Sequence, residues 1–543
     1  MYRNSVIEIL THSDKRQRAG FIWFLMLACL FAASKAVLWD NLDPDLGWHL
    51  RVAEQLHEDG IGPLVDRLSY NSVREPWTPY SWLAQLGMKW VWDVGGAHGI
   101  LITHATLQAL LFALIGLTCV EASRSVRGSP GYMAAGVAVI LAGLYALAYL
   151  SFRPVLLALV LLAATMFLIF RDRRLGRSRA VWLVIPIALL CANVHLYVVI
   201  LVAIVWAMAV GAWMDRWSGV RTQPIGSSSS KSATRLTTLA ILTSLAALGT
   251  PMLPGLVRQA WTYQKSDVMV ASDFIDEMRP FWSDLGMGTG LSLLAIVTMI
   301  AIALRFRIVG FGPILVCGIG LVCLMKLGRF APIFAILGLP MFACLLTSLS
   351  DRVLGRGPVR VMLAAMCALC LVRIVDSLPR AEAKDRFETV DRFVERHGAE
   401  VFAYPGAAVR FVEQNIAPKS GRIINEFNWG GFLAWRLGDR YQVFMDGRTQ
   451  LYPAWFWRVT CLDDAASARP LLIQSNADLA ILPVRKSRFA DVLIDAGWHE
   501  TYRDEFASVL LPPETSAVVQ SHDANAGTTD PDAQSRSLVD IRD

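Results

Sequence analysis

The chain has 543 residues, 55% of them hydrophobic and only 18% charged, with a mean hydropathy of +0.44. Soluble globular proteins carry about 25% charged residues, so this composition excludes a string of soluble, disordered, collagen-like or disulfide-stapled domains. It is that of a polytopic α-helical membrane protein, and a formal charge of +6 over this length gives no footprint for nucleic acid.

Residues 1–20 are basic, and the first apolar run, 21–39, lacks a convincing cleavage site. Met26-Leu27-Ala28-Cys29 is a poor lipobox because the apolar stretch continues well beyond it, so the run is expected to stay as a span. Further runs able to cross about 30 Å of hydrocarbon lie near 98–120, 131–150, 154–170, 181–193, 196–214, 236–250, 290–304, 308–325, 330–347 and 358–375. About eleven spans are expected. No internal repeat is visible, which disfavours an inverted-repeat transporter.

Positive charges set the orientation. Arg3, Lys15, Arg16 and Arg18 precede the first span, and alternate connections carry the clusters Arg124/Arg127, Arg171–Arg179, Arg216–Arg235, Arg305/Arg307 and Arg352–Arg360. The other side receives the acid-rich segments 40–97 and 251–289. The N-terminus is therefore expected in the cytoplasm and the C-terminus outside, and residues 1–375 form the transmembrane domain with 40–97 as its first external loop.

Residues 376–513 are polar and alternate in pattern, with strand signals at 422–425, 441–445, 478–482 and around 498–511 and helix signals at 429–437 and 487–495. That reads as a small α/β extracytoplasmic domain. Residues 514–543 have no apolar periodicity and read as a disordered tail, and Gly226–Ser230 as a flexible loop. Eight of the 9 cysteines lie in apolar runs, where a thiol acts as a small hydrophobe, and Cys461 has no partner nearby. The Cys367/Cys370 pair has no His or acidic neighbour to make it a metal or redox motif.

Ionisable residues at membrane depth are costly and are functional candidates by default. Asp43, Asp45 and His49 follow the first span. Arg153 precedes Pro154 in a tight turn, Asn193 and His195 interrupt the stretch 181–214, Glu277 lies in the second acid-rich segment, and Lys326 and Arg329 fill a short turn. The topology puts all of them on the external face. Carboxylates and cations converging at headgroup level suit transfer of a sugar from a lipid phosphate: cations hold the anionic leaving group, and a carboxylate takes the acceptor's proton. No Gly-rich phosphate loop suggests a nucleotide sugar. Each residue also has a plain structural role. Asp45 can cap a helix, His49 lies one turn on as its local partner, Arg153 and Arg329 can snorkel, and Asn193 can satisfy a helix break.

The same residues carry a resemblance. Asp43-Pro44-Asp45-Leu46-Gly47-Trp48-His49-Leu50, followed by Gly60, Pro63, Asp66, Ser69-Tyr70, Trp77 and Ser81-Trp82-Leu83, resembles the first external loop of uncharacterised bacterial members of the GT-C superfamily of membrane glycosyltransferases. Arg153-Pro154, Asn193-Val194-His195 and Arg329-Phe330-Ala331-Pro332 are similar to later signatures of that group. Asn428–Leu433, Phe444-Met445-Asp446-Gly447-Arg448 and Ala496-Gly497-Trp498 resemble its C-terminal domain. Two positions depart from it: Gly47 stands where an aromatic is expected, and Thr250–Gly255 matches an Asn-Pro-x-Gly turn only loosely. The resemblance implies a GT-C-like fold and a polyprenyl-phosphate sugar donor, with an acidic residue of the first loop as catalytic base or metal ligand.

The expected function is inverting transfer of a sugar from a polyprenyl-linked donor to a hydroxyl acceptor, lipid or glycan, outside the bacterial inner membrane. Asp45 is the expected base and Asp43 its alternate; Arg153, His195, Arg329 and Lys326 hold the donor phosphate, and His49, Asn193 and Glu277 support them. No cofactor is required, and the open alternative is Mg²⁺ or Mn²⁺ on Asp43, Asp45 and Glu277. The rivals are a polymerase or ligase of lipid-linked glycans and a non-enzymatic glycan carrier or scaffold.

Overall fold

The structure, a computed structural model, describes residues 18–20, 22–23, 25–30, 32, 43–72, 76–127, 130–219, 229–262, 275–283, 286–350, 404–416, 420–485 and 487–513. The expected span 358–375, the Cys367/Cys370 pair and the tail 514–543 lie outside the described residues.

The larger part is helical. Its elements are α1 (Leu46–Asp59), α2 (Trp82–Arg127), α3 (Tyr132–Ala146), α4 (Pro154–Leu175), α5 (Val184–Val194), α6 (Val198–Trp217), α7 (Ser229–Ala247), α8 (Met287–Ala303), α9 (Phe311–Lys326), α10 (Ala331–Leu337) and α11 (Leu339–Ser350). Four helical segments, Trp82–Val126, Tyr132–Tyr149, Pro154–Leu175 and Val198–Trp217, are long and apolar enough to cross a membrane. A fifth follows if Gly328–Leu337 and Leu339–Thr347, bent by 46°, count as one span. The expected count of about eleven is thus not reached among the described residues. The apolar runs at 181–193, 290–304 and 308–325 do become helices, but shorter ones. Hydropathy windows register apolar content and miss the breaks at His195, Gly310 and Gly338, where the backbone leaves the helix or bends.

The helix α2 is kinked at Gly96, whose φ of 54° lies in the left-handed region that glycine tolerates. The kink separates the apolar run expected at 98–120 from a preceding helical stretch, Trp82–Gly95, that falls within the expected loop 40–97. Pro154 opens α4, where its missing N–H costs nothing.

The C-terminal part contains α12 (Gly406–Asn415), β1 (Gly421–Asn425), α13 (Gly430–Leu437), β2 (Tyr441–Val443), β3 (Leu479–Pro483), β4 (His499–Arg503) and β5 (Ala507–Leu511). The five strands form one sheet in the order β2-β1-β3-β5-β4. The β2, β1 and β3 strands run parallel, and β5 pairs antiparallel with both β3 and β4. Each strand signal in the sequence lies on one of these strands.

Two large hydrophobic cores hold the described residues together. One lies among α2–α11. The other is shared: Leu46, Trp48, Leu50 and Trp77 from the segment before α2 are buried with Ile423, Phe432, Val443 and Phe444 of the C-terminal part. The segment even extends the sheet. Val443 N–H donates to Leu68 O at 2.8 Å, and Tyr70 N–H donates to Val443 O at 3.2 Å. Two helices touch without side chains between them, since a Cβ on Gly47 of α1 would lie 2.3 Å from Gly431 O of α13. The glycine that departs from the family pattern is therefore required by this packing.

Candidate active site

The turn before α1 places two aspartates with different jobs. Asp43 Oδ1 accepts the backbone N–H of Asp45 at 2.8 Å, and its Oδ2 accepts Arg153 Nε–H at 2.7 Å. Its side chain is 3% exposed, against 16% for Asp45. Asp45 sits at the N-cap position, yet its carboxylate makes no capping bond. It faces Arg153 Nη1 at 3.2 Å instead. The structural role the sequence offered for Asp45, a helix cap, lacks the hydrogen bond that defines it.

Arg153 reaches the cluster because Pro154 forces the residue before it into an extended backbone, φ −129° and ψ 164°. Its Nη1 also meets Glu277 Oε1 at 3.2 Å, and the same oxygen meets Arg329 Nη2 at 3.1 Å. Arg329 is carried by the turn Gly328–Phe330, and Gly328 N–H donates to Arg279 O at 2.7 Å, tying that turn to the Glu277 segment. Five charged residues from four separate stretches thus form one chain: Asp43 and Asp45, Arg153, Glu277, Arg329. The side chains of Arg153, Arg329 and Glu277 are 21%, 21% and 29% exposed.

The other candidates divide. His195, in the break between α5 and α6, accepts Tyr197 N–H at its Nδ1 at 3.3 Å and stacks edge-on with the Tyr80 and Tyr197 rings. Burial, with Arg329 adding to it, pushes its imidazole down to about 3, so it is neutral. His49 does not pair with the Asp45 carboxylate; its Nδ1 meets Gln85 Nε2 at 3.1 Å and its ring lies against Trp48. Asn193 accepts from Trp82 Nε1 and donates to Leu189 O and Gly249 O, which satisfies its amide at the helix break. Lys326 closes α9 and makes no ion pair to the cluster among the described residues.

Burial pushes the Asp45 carboxyl up to about 6, with Arg153 acting against it and Asp43 with it. Burial also acts on Glu277, but Arg329 and then Arg153 hold its carboxyl below the usual range. Among the described residues no group of three His, Cys, Asp or Glu side chains is arranged to hold a metal ion. Asp43, Asp45 and Glu277 turn an oxygen each toward the Arg153 guanidinium, so as placed they do not fit Mg²⁺ or Mn²⁺.

The sequence reading missed a second cluster beside the first. Arg448 is fully buried and forks onto Asp66, Nη1 to Oδ1 at 2.7 Å and Nη2 to Oδ2 at 3.1 Å. Its other edge holds Asp446, Nη2 to Oδ2 at 2.5 Å, and its guanidinium lies 5.3 Å from the Trp77 ring centre. The intervening Gly447 backs onto Asp45. Asp66 and the Asp446–Arg448 motif stood out in the sequence, but nothing there paired residues 382 positions apart.

No family model matches the chain, and no curated protein does. Solved structures do. The oligosaccharyltransferase of Archaeoglobus fulgidus in its apo form aligns with 85% of this chain and 69% of its own, at 12% identity and a TM-score of 0.50. The chain has the GT-C fold. The archaeal oligosaccharyltransferase AglB from Archaeoglobus fulgidus, in complex with an inhibitory peptide and a dolichol-phosphate, aligns at a TM-score of 0.48 and 12% identity over 85% of this chain and 69% of that one. ArnT from Cupriavidus metallidurans in the apo state aligns at 0.49 and 13% identity over 91% and 98%. Within the GT-C fold of this chain, the carboxylate–guanidinium cluster lies where the helical part meets the C-terminal sheet.

Proposed function

We propose that the chain is a glycosyltransferase that moves a sugar from a polyprenyl-phosphate-linked donor to a hydroxyl acceptor, with inversion, on the extracytoplasmic side of the membrane. The observation that carries this reading is a partly open carboxylate, Asp45, that meets Arg153 and makes no capping bond to its helix. In the reaction, the acceptor oxygen attacks the anomeric carbon as its proton passes to Asp45. The bond to the phosphate breaks with its electron pair, and polyprenyl phosphate leaves. Arg329, whose guanidinium meets Glu277 Oε1 at 3.1 Å and whose side chain is 21% exposed, is the proposed phosphate contact. Arg153, engaged by three carboxylates, is a positioning residue.

Charge supports the same assignment. With its carboxylates ionised, the five-residue cluster carries three negative and two positive groups. Proton uptake by Asp45 neutralises it in the step that releases an anionic phosphate, so the developing charge is not opposed.

The test uses right-side-out vesicles and a water-soluble short-chain polyprenyl-phosphate sugar added outside. Release of the short-chain polyprenyl phosphate is expected, with an acid limb near pH 6. The sign follows from the base role: Asp45 must be ionised, so activity rises as pH passes upward through about 6. No release from any sugar in a panel, or release only from inside-out vesicles, overturns the reading. A second expectation concerns Arg329→Lys. Lys cannot reproduce the planar fork, and losing one charge-assisted hydrogen bond of about 1.5–3 kcal/mol should raise the donor KM roughly tenfold or more. An unchanged KM returns Arg329 to a structural role with Glu277.

A further inference from the structure

One tight glycine contact between the two parts of the chain falls on the proposed base itself. A Cβ built on Gly447 would lie 1.8 Å from Asp45 Oδ1, 2.9 Å from its Cγ and 3.0 Å from Trp48 Nε1. Any larger residue at this position would push the Asp45 carboxylate aside. Two glycines of α13 pack beside this contact: a Cβ on Gly431 would meet Pro44 O at 2.5 Å, in the Asp45 turn, and one on Gly430 would meet Met445 O at 1.8 Å, at the start of the Gly447 loop. The loop that carries Gly447 cannot drift. Arg448 anchors it to Asp66, Asp446 N–H donates to Tyr452 Oη at 3.0 Å, and Asn425 Nδ2 donates to Met445 O at 2.9 Å.

We infer that the Asp446-Gly447-Arg448 loop of the C-terminal part is a built wall of the active site, with Gly447 a positioning residue that fixes where the Asp45 carboxylate points. This rests on the reading of Asp45 as the base. On one side the carboxylate meets Arg153 through Oδ2; on the other, Oδ1 is backed by Gly447. A carboxylate held from both sides offers its proton-accepting oxygen in one direction, which a general base requires. The C-terminal part then contributes to the chemistry without supplying a reacting atom.

Gly447→Ala tests this directly. The atom in the way is the end of the Asp45 side chain and not backbone, so the displacement should pass into the site and leave the fold in place. A misplacement of about 1 Å at a catalytic group can cost on the order of 100-fold. The expected result is a kcat loss of about that size with donor KM unchanged, and an acid limb moved from its wild-type position. Gly421→Ala is the control. Its Cβ would meet another carboxylate oxygen, Asp478 Oδ2, at 2.4 Å on β1, away from the cluster, and wild-type kcat and limb are expected. If Gly447→Ala does not accumulate as folded protein, Tyr452→Phe serves instead. It removes the acceptor of Asp446 N–H, adds no bulk, and should give a smaller loss in kcat alone. Wild-type kcat and acid limb in the variant that folds, with Asp45→Asn inactive, overturn the inference and leave the proposed function standing. An active Asp45→Asn overturns both.

Discussion

Asp45→Asn is expected to lower turnover by roughly two to four orders of magnitude, the usual worth of a general base, without lowering thermal stability. The two halves of that result have separate causes. Asn keeps the size of Asp and its hydrogen-bonding oxygen but cannot take a proton. As a helix cap, Asn equals Asp, and a pure capping role would cost a few tenths of a kcal/mol at most. The carboxylate makes no cap bond here in any case. Stability follows from linkage: burial raises the folded Asp45 carboxyl to about 6, so the folded state favours its neutral form. Its charge therefore opposes folding above about pH 6, and this cost fades as pH falls toward the ordinary carboxylate range. Neutral Asn removes it, so at pH 8 the variant should melt at or above the wild-type temperature. Asp43→Asn should behave differently. Both oxygens of Asp43 are engaged, one by the backbone of Asp45 and one by Arg153, so that variant should lose stability and turnover together. Full turnover in the Asp45/Asp43 double variant would end the mechanism.

The gathering of these residues was legible in the sequence; their pairing was not. Charge alternation along the chain placed Asp43, Asp45, Arg153, Glu277 and Arg329 on one face, and ion pairs do connect them. The sequence reading had assigned carboxylates and cations to different partners, a hydroxyl and a phosphate, whereas the structure sets them against one another. Spacing alone cannot tell a cation that waits for a ligand from one that holds a carboxylate. The small sheet was legible because its strands are short apolar runs between turn residues. The union of that sheet with the segment before α2 was not, because it depends on contacts such as Leu68 with Val443 that leave no local periodicity. Gly447 shows the limit best. A glycine in a polar loop reads as a turn, and only its neighbour in space, Asp45, gives it a role.

Arg448→Met should cost about 3–5 kcal/mol of stability, the range for breaking a buried ion pair from one side. Arg448 is fully buried, and Asp66 and Asp446 are 1% and 0% exposed. Removing the guanidinium leaves two carboxylates facing each other without compensation, which costs more than the lost attraction. If these residues acted as an ordinary surface pair, the loss would be no more than about 1 kcal/mol. Arg448→Lys should fall between, since an ammonium cannot fork onto Asp66 while also holding Asp446. The measurement is protease protection of the C-terminal part in detergent-solubilised protein, read as the free energy of local opening. The effect has a pH signature. Burial acts on Asp66 against Arg448, its hydrogen bonds and those from Ser72 and the Leu68 backbone, and the net result holds its carboxyl below the usual range. Its contribution is therefore full above the ordinary carboxylate pKa and is lost as pH falls through the folded value. Wild type should lose protection over that acid window while Arg448→Met, having no guanidinium against Asp66, should not lose it in parallel. The gap between them should narrow with acidity, and a gap independent of pH would mean that Arg448 stabilises the loop by packing on Trp77 and not through its charge.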